Sequence, residues 1–215
     1  MKALKIFGTV LVAAVALGSA LVSPARADSG QSAGSPYQVS IMGGVQALNQ
    51  NDTALPDNFV NIPAAAALAY QFTSIWGAEG EVSWMIPVKR SVDLGVAGKQ
   101  DRKTPDILSY QANVVGRLPF SSAPWSPYLT AGLGAITFLS NTDADRYPQL
   151  PKSQTAFGIN FGAGTNYSIG PHWALRGDFR ELAAFPSKST AGLANGGKAD
   201  PIWMERGALG LGYRF

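Results

Sequence analysis

The chain contains no cysteine, which excludes disulfide scaffolds, thiolate metal centres and a lipid tether carried on cysteine. It is also short of charge, with 14% Asp, Glu, Lys and Arg against about 25% in an average globular chain. Part of its surface is therefore expected to face something other than water. Only one histidine, His172, is present, so histidine-rich metal or catalytic clusters are excluded as well. The longest apolar run, Ile6 to Val22, has 17 residues interrupted by Gly8, Gly18 and Ser19, and a spanning helix takes about 20.

The formal charge of +3 does not survive closer inspection. Lys2, Lys5 and Arg26 lie in the first 27 residues with no acid beside them, and without them 14 basic residues stand against 14 acidic ones. A nucleic-acid partner needs a basic stripe, and none remains. Those 27 residues have the three parts of a secretory signal: a positive start at Lys2 and Lys5, an apolar stretch from Ile6 to Leu17, and Ala25-Arg26-Ala27 as an A-x-A cleavage site before Asp28. The expected organisation is a signal peptide over 1–27, a periplasmic lead over 28–36 and one domain over 37–215.

Beyond Asp28, proline and glycine recur too often for a long helix. Eight runs alternate apolar against small or polar residues: Tyr37 to Leu48, Pro63 to Phe72, Trp76 to Val88, Ile107 to Phe120, Ser126 to Leu139, Thr155 to Tyr167, His172 to Leu182, and Ile202 to Phe215. Soluble strands average about five to six residues, whereas a tilted membrane strand needs about nine to eleven. The connections alternate too. Thr73 to Ile75, Ser121 to Trp125 and Ser168 to Pro171 are tight, while Asn49 to Ile62, Lys89 to Asp106, Ser140 to Gln154 and Ala183 to Pro201 are long and polar. Short turns at one end and long loops at the other describe an outer-membrane meander.

Polarity decides between a soluble and a membrane barrel. One parity of the third run is Ala78, Gly80, Val82, Trp84 and Ile86; the other carries Glu79, Glu81 and Ser83. The seventh run opposes Trp173, Leu175 and Phe179 to Arg176, Asp178 and Arg180. Eight strands leave an interior barely wide enough for side chains, so the small and ionic face is expected inside. Glu79, Glu81 and Asp178 are expected to pair there with Arg117, Arg176 and Arg180, because a lone buried charge is costly. Aromatics gather at strand ends near the short turns, as interfacial girdles do. The predicted fold is all-β: an eight-stranded antiparallel up-and-down transmembrane barrel in a bacterial outer membrane, with both termini periplasmic.

Three segments resemble the OmpA-like and opacity-type outer-membrane barrels. Trp125-Ser126-Pro127-Tyr128-Leu129-Thr130-Ala131-Gly132-Leu133-Gly134-Ala135 is similar to that family's fifth strand. Ala174-Leu175-Arg176-Gly177-Asp178-Phe179-Arg180 is similar to its seventh, and Gly207 to Phe215 resembles its closing strand. The resemblance implies that Leu211, Tyr213 and the terminal aromatic Phe215 form a signal read by the barrel-assembly machinery. With the chain ending at Phe215, the peptidoglycan-binding domain of the longer OmpA proteins is not expected.

Other sites yield to plainer readings. Outer-membrane lipid A deacylases place serine two residues after a histidine, and here that position is Ala174. Asn141-Thr142-Asp143-Ala144-Asp145 is faintly like a calcium loop but lacks its glycine and distant glutamate. No enzyme activity, metal or cofactor is expected. The function expected is structural or interactive: envelope integrity, adhesion or binding of an extracellular ligand through the long loops. The expected surroundings are outer-membrane lipid and lipopolysaccharide. A narrow or gated pore is the alternative, and a lipid-modifying enzyme a remoter one.

Overall fold

The computed structural model describes residues 36–49, 60–93, 99–119, 124–146, 149–187 and 200–215. Ten strands follow in order: β1 (Tyr37–Asn49), β2 (Val60–Gln71), β3 (Trp76–Pro87), β4 (Arg90–Asp93), β5 (Lys99–Arg102), β6 (Ile107–Arg117), β7 (Trp125–Phe138), β8 (Gln154–Ser168), β9 (Trp173–Phe185) and β10 (Ile202–Arg214). Eight of them close into a barrel in the order β1-β10-β9-β8-β7-β6-β3-β2, every pairing antiparallel. Barrel strands follow one another along the chain, save that β4 and β5 form a separate hairpin between β3 and β6. Closure of β10 onto β1 removes the open edge that would otherwise leave backbone groups unpaired in lipid.

Strand alternation sets the two faces. In β3 the exposure alternates residue by residue: Glu79, Glu81, Ser83 and Met85 are buried, while Trp84 and Val82 are open to the outside. On the outer surface Ile41, Val45, Leu68, Val114, Leu133, Phe157, Phe179 and Leu209 stand exposed, Leu209 to 75%. So much exposed aliphatic and aromatic surface is tolerable only where lipid replaces water.

The tight connections have local causes. The Thr73 hydroxyl accepts from the backbone N–H groups of Ile75 at 3.2 Å and Trp76 at 2.8 Å, a side-chain turn that returns the chain from β2 to β3. Ile169 N–H donates to the carbonyl of Trp173 at 3.0 Å across the β8–β9 turn.

Most strand ends differ from the alternation reading by a residue, and several by more, β6 among them in ending at Arg117. The Lys89 to Asp106 connection holds the β4–β5 hairpin rather than plain loop. β2 begins at Val60, before Pro63, because Val60 still pairs with Ala47 and Asn61 with Gln46. β9 runs on to Phe185, paired with Phe157. Ala25 and Ala27, with the whole of 1–35, lie outside the described residues, as does Phe120.

Candidate functional site

The lumen is filled in tiers, each set by which inward position of each strand reaches that level. Nearer the short turns lies an ionic tier of three carboxylates and three guanidiniums: Glu79 and Glu81 from β3, Arg176, Asp178 and Arg180 from β9, and Arg206 from β10. None of the six is more than 5% exposed. Glu79 accepts from Arg176 Nη1 at 2.6 Å and from Arg180 Nη2 at 2.7 Å. Glu81 takes a two-pronged contact from Arg206, Nη1 at 2.7 Å and Nη2 at 3.0 Å, and lies 3.4 Å from Arg180 Nη1. Asp178 is shared by Arg180 Nε at 2.8 Å, Arg176 Nη2 at 3.2 Å and Arg206 Nη2 at 3.3 Å. The cluster is formally neutral, which lets six buried ionic groups coexist without a lone charge.

Tyr128 ties the tier to β7. Its hydroxyl donates to Asp178 at 2.6 Å and accepts from Arg176 Nε at 2.8 Å, and the Arg176 guanidinium lies 5.2 Å from the ring centre. The ring needs room on the facing strand: a Cβ on Gly164 would overlap the phenol oxygen. That close approach explains glycine there.

Amides line other walls at the level of the ionic tier, with Asn113 beside Glu79, Gln111 beside Glu81 and Gln46 beside Arg206 in register. Asn160 donates to Gln111 at 3.0 Å and Asn113 at 2.8 Å, and Asn113 donates onward to Glu79 at 3.3 Å. On the other wall Thr104 donates to Asn61 at 3.1 Å and Asn61 to Gln46 at 3.0 Å. Thr104 comes from the connection after β5, so the long loop reaches down into the barrel mouth.

The outermost tier is apolar. Leu48, Met85, Ile107, Ile136, Phe138, Leu182, Ile202 and Met204 pack against Leu150 from the 139–153 connection, all fully buried or nearly so. This plug is not foreshadowed by a reading that makes the inward face small and polar throughout.

Over the plug, two long connections are joined. Lys103 and Arg146 form an isolated parallel bridge. Arg146 Nη1 donates to the Thr104 carbonyl and to Asp106, each at 2.7 Å, and the Arg102 guanidinium donates to the Ala144 carbonyl. Asp145 lies 3.2 Å from Lys89 and 3.3 Å from Lys103. Desolvation pushes the Asp145 carboxyl up, but the hydrogen bonds and charges of Lys89 and Lys103 outweigh it and hold the group below the usual aspartate value. The acids of the 141–145 stretch thus face lysines and, for Asp143, Arg146 at 3.9 Å.

Five of the six residues expected in the ionic network come together: Glu79, Glu81, Arg176, Asp178 and Arg180. Arg117 does not. Register sets Glu81 beside Gln111 and Glu79 beside Asn113, so Arg117, ending β6, is two inward positions nearer the short-turn rim and half-exposed. Its place is taken by Arg206, which lies beside Arg180 in register. Arg206 shares the parity of Gly210, Gly212 and Arg214; following that alternation four residues back from Gly210 would have found it. Leu211, Tyr213 and Phe215 line the outer face at the short-turn end. Tyr213 meets Trp173 edge-on at 4.9 Å and Phe215 at 5.3 Å. His172 stacks on Tyr213 at 5.7 Å, exposed on the rim.

A closed barrel with aliphatic and aromatic side chains outside and ions within defines a membrane-spanning β-barrel. Residues 10–215 match the outer membrane protein beta-barrel domain, and the chain belongs to that family. Among solved structures it is similar to Neisserial surface protein A, at 12% identity and a TM-score of 0.57, covering 86% of this chain and 100% of that one. It is also similar to the N-terminal barrel of OprF from Pseudomonas aeruginosa, at 13% identity and a TM-score of 0.52, covering 85% and 99%. No curated protein matches. Family and fold place the protein in the outer membrane.

Proposed function

We propose that this protein is a non-conducting barrel with a structural and interactive role. It adds a rigid cylinder to the envelope and holds a platform of joined loops at the cell surface for an extracellular ligand. The observation that carries this reading is the filling of the lumen: a conducting path would require the ionic tier and the apolar plug above it both to part. The loop platform supports the interactive half, because Arg146, Asp106, Asp145, Lys89 and Lys103 hold the 88–106 and 139–153 connections together. Such preorganisation lowers the ordering cost of binding.

In this reading the outer belt is solvated by outer-membrane lipid and lipopolysaccharide. The signal peptide is cleaved once, between Ala27 and Asp28, with Ala25 and Ala27 as the small residues of the site, and the residues over 28–36 lead into the barrel from the periplasm. The assembly machinery reads Leu211, Tyr213 and Phe215. No residue is assigned a catalytic role. The test is single-channel recording on purified protein in planar bilayers. The expected result is a quiet membrane, and steady conductance steps from the wild-type chain would favour the pore instead.

A further inference from the structure

The long-loop mouth is closed by a residue that belongs to no strand. Leu150 is fully buried among apolar side chains of β1, β3 and β6 to β10. It stands at the base of a small loop, 141–150, closed by two backbone hydrogen bonds: Asn141 N–H to the Leu150 carbonyl at 2.7 Å, and Leu150 N–H to the Asn141 carbonyl at 2.9 Å. These bonds hold the loop's own shape. What ties its far end to the barrel wall is Arg146.

The tie runs through Asp106, which immediately precedes β6 and shares the outward parity of Leu108 and Tyr110. Trp84 lies opposite Leu108 in register, so Asp106 is its diagonal neighbour, a separation that long side chains span. The Trp84 indole N–H donates to Asp106 Oδ2 at 3.2 Å, and Arg146 Nη1 donates to Oδ1 at 2.7 Å. The Asp106 carbonyl also accepts from Leu139 N–H at 2.9 Å, where the 139–153 connection leaves β7. One residue thus receives a donor from the lipid-facing wall, one from the loop and one from the loop's root. A carboxylate at the edge of the lipid belt needs such partners, because left unpaired it is costly.

Trp84 is 46% exposed on the outer face, and indole rings settle at the level of the membrane interface. A bilayer whose interface lies above or below that ring draws it away from Asp106, with an energy of the same order as one net hydrogen bond. We propose that Trp84, Asp106 and Arg146 form a latch, through which a lipid-facing side chain holds the Leu150 stopper in the outer mouth and the outer leaflet biases its release. Trp84 is a positioning residue in this device, which stands whether or not the platform binds a ligand.

The test is backbone hydrogen exchange at Leu150 in the whole protein, in nanodiscs of dilauroyl or dioleoyl phosphatidylcholine. Amides of β9 and β10 report that the barrel is intact. Wild-type Leu150 exchange should differ between the two bilayers, since their thickness moves the interface past Trp84. Trp84→Phe keeps a ring but loses the donor. It should speed Leu150 exchange by about two- to tenfold in the bilayer that protects the wild type better, the span one net hydrogen bond allows, and should remove the difference between bilayers. Asp106→Ala should speed exchange by about tenfold or more, and Trp84→Phe added to it should change nothing further. Arg146→Gln breaks the latch at its other end and should act as Asp106→Ala does, which guards against a fold defect in either. Trp203→Phe, at the long-loop end of β10, is the control for general loss of interfacial anchoring and should leave Leu150 exchange at the wild-type rate. Unchanged exchange in Trp84→Phe, an equal rise in Trp203→Phe, additive effects of Trp84→Phe and Asp106→Ala, or wild-type exchange blind to the bilayer overturns the proposal.

Discussion

At the residue scale, the lumen depends on balance more than on any one bond. Arg206 has no exposed surface and meets Glu81 through two parallel contacts at 2.7 and 3.0 Å. Replacing it with methionine keeps most of the volume but leaves the buried cluster one carboxylate in excess, with Glu81 reduced to its 3.4 Å contact with Arg180, and breaking a buried pair in this way costs about 3–5 kcal/mol. Replacing Glu81 with glutamine in the same chain removes the excess charge, so the double variant should be more stable than Arg206→Met alone. Urea unfolding of the refolded barrel in lipid vesicles checks the order, and equal losses for single and double variants would mean that the two side chains are not coupled. Asp178 also touches Arg206, at 3.3 Å, so part of the penalty should persist in the double variant. Five of the six ionic residues were legible in sequence because strand parity assigns a face without knowing register. Arg117 was misplaced for the complementary reason: parity says that it points inward but not how far along the axis it lies.

At the element scale, β9 and β10 carry an exception to the apolar outside. Glu181 and Glu205 are directly opposite in register and have outward parity, flanked laterally by Phe161 and Ala47. Like charges directly opposite on neighbouring strands destabilise a sheet, and charge on the lipid face adds a cost that depends on depth. Glu181→Gln should therefore stabilise the barrel in bilayers, with a smaller further gain from Glu205→Gln once the repulsion is gone. Comparing unfolding midpoints of the two single variants and the double variant tests this non-additivity, and a loss of stability in either single variant would contradict it. Barrel strands were legible from alternation because lipid and lumen impose opposite demands on neighbouring residues. The β4–β5 hairpin escaped because Arg90–Asp93 and Lys99–Arg102 read RSVD and KQDR, mostly polar, with no period-two contrast. The apolar plug escaped for a related reason. Met85, Ile136 and Met204 continue the inward parity with greasy residues, so at the outer ends of β3, β7 and β10 both faces look alike.

At the scale of the whole molecule, closure depends on where β10 meets β1. Their register runs from Asn49 against Trp203 down to Gln38 against Arg214, and Phe215 N–H reaches the Tyr37 carbonyl at 3.4 Å, a long contact. The Phe215 ring adds an edge-on contact with Tyr213 and is otherwise exposed. An aromatic contact of this kind is worth about 0.5–1.5 kcal/mol beyond its buried area, and so exposed a ring has little packing to lose. Phe215→Ala should accordingly refold in vesicles with a stability loss of no more than about 1.5 kcal/mol and should keep its heat-dependent gel migration. If the terminal aromatic is a signal to the assembly machinery, the same variant should be depleted from the outer membrane of cells and accumulate as a protease-sensitive form. The two measurements separate a structural from a recognition role, because a clasp essential to closure would fail in both settings and a recognition signal only in cells. Normal surface display of Phe215→Ala would remove the assembly role from Phe215 and leave the register of β10 against β1 as the whole basis of closure.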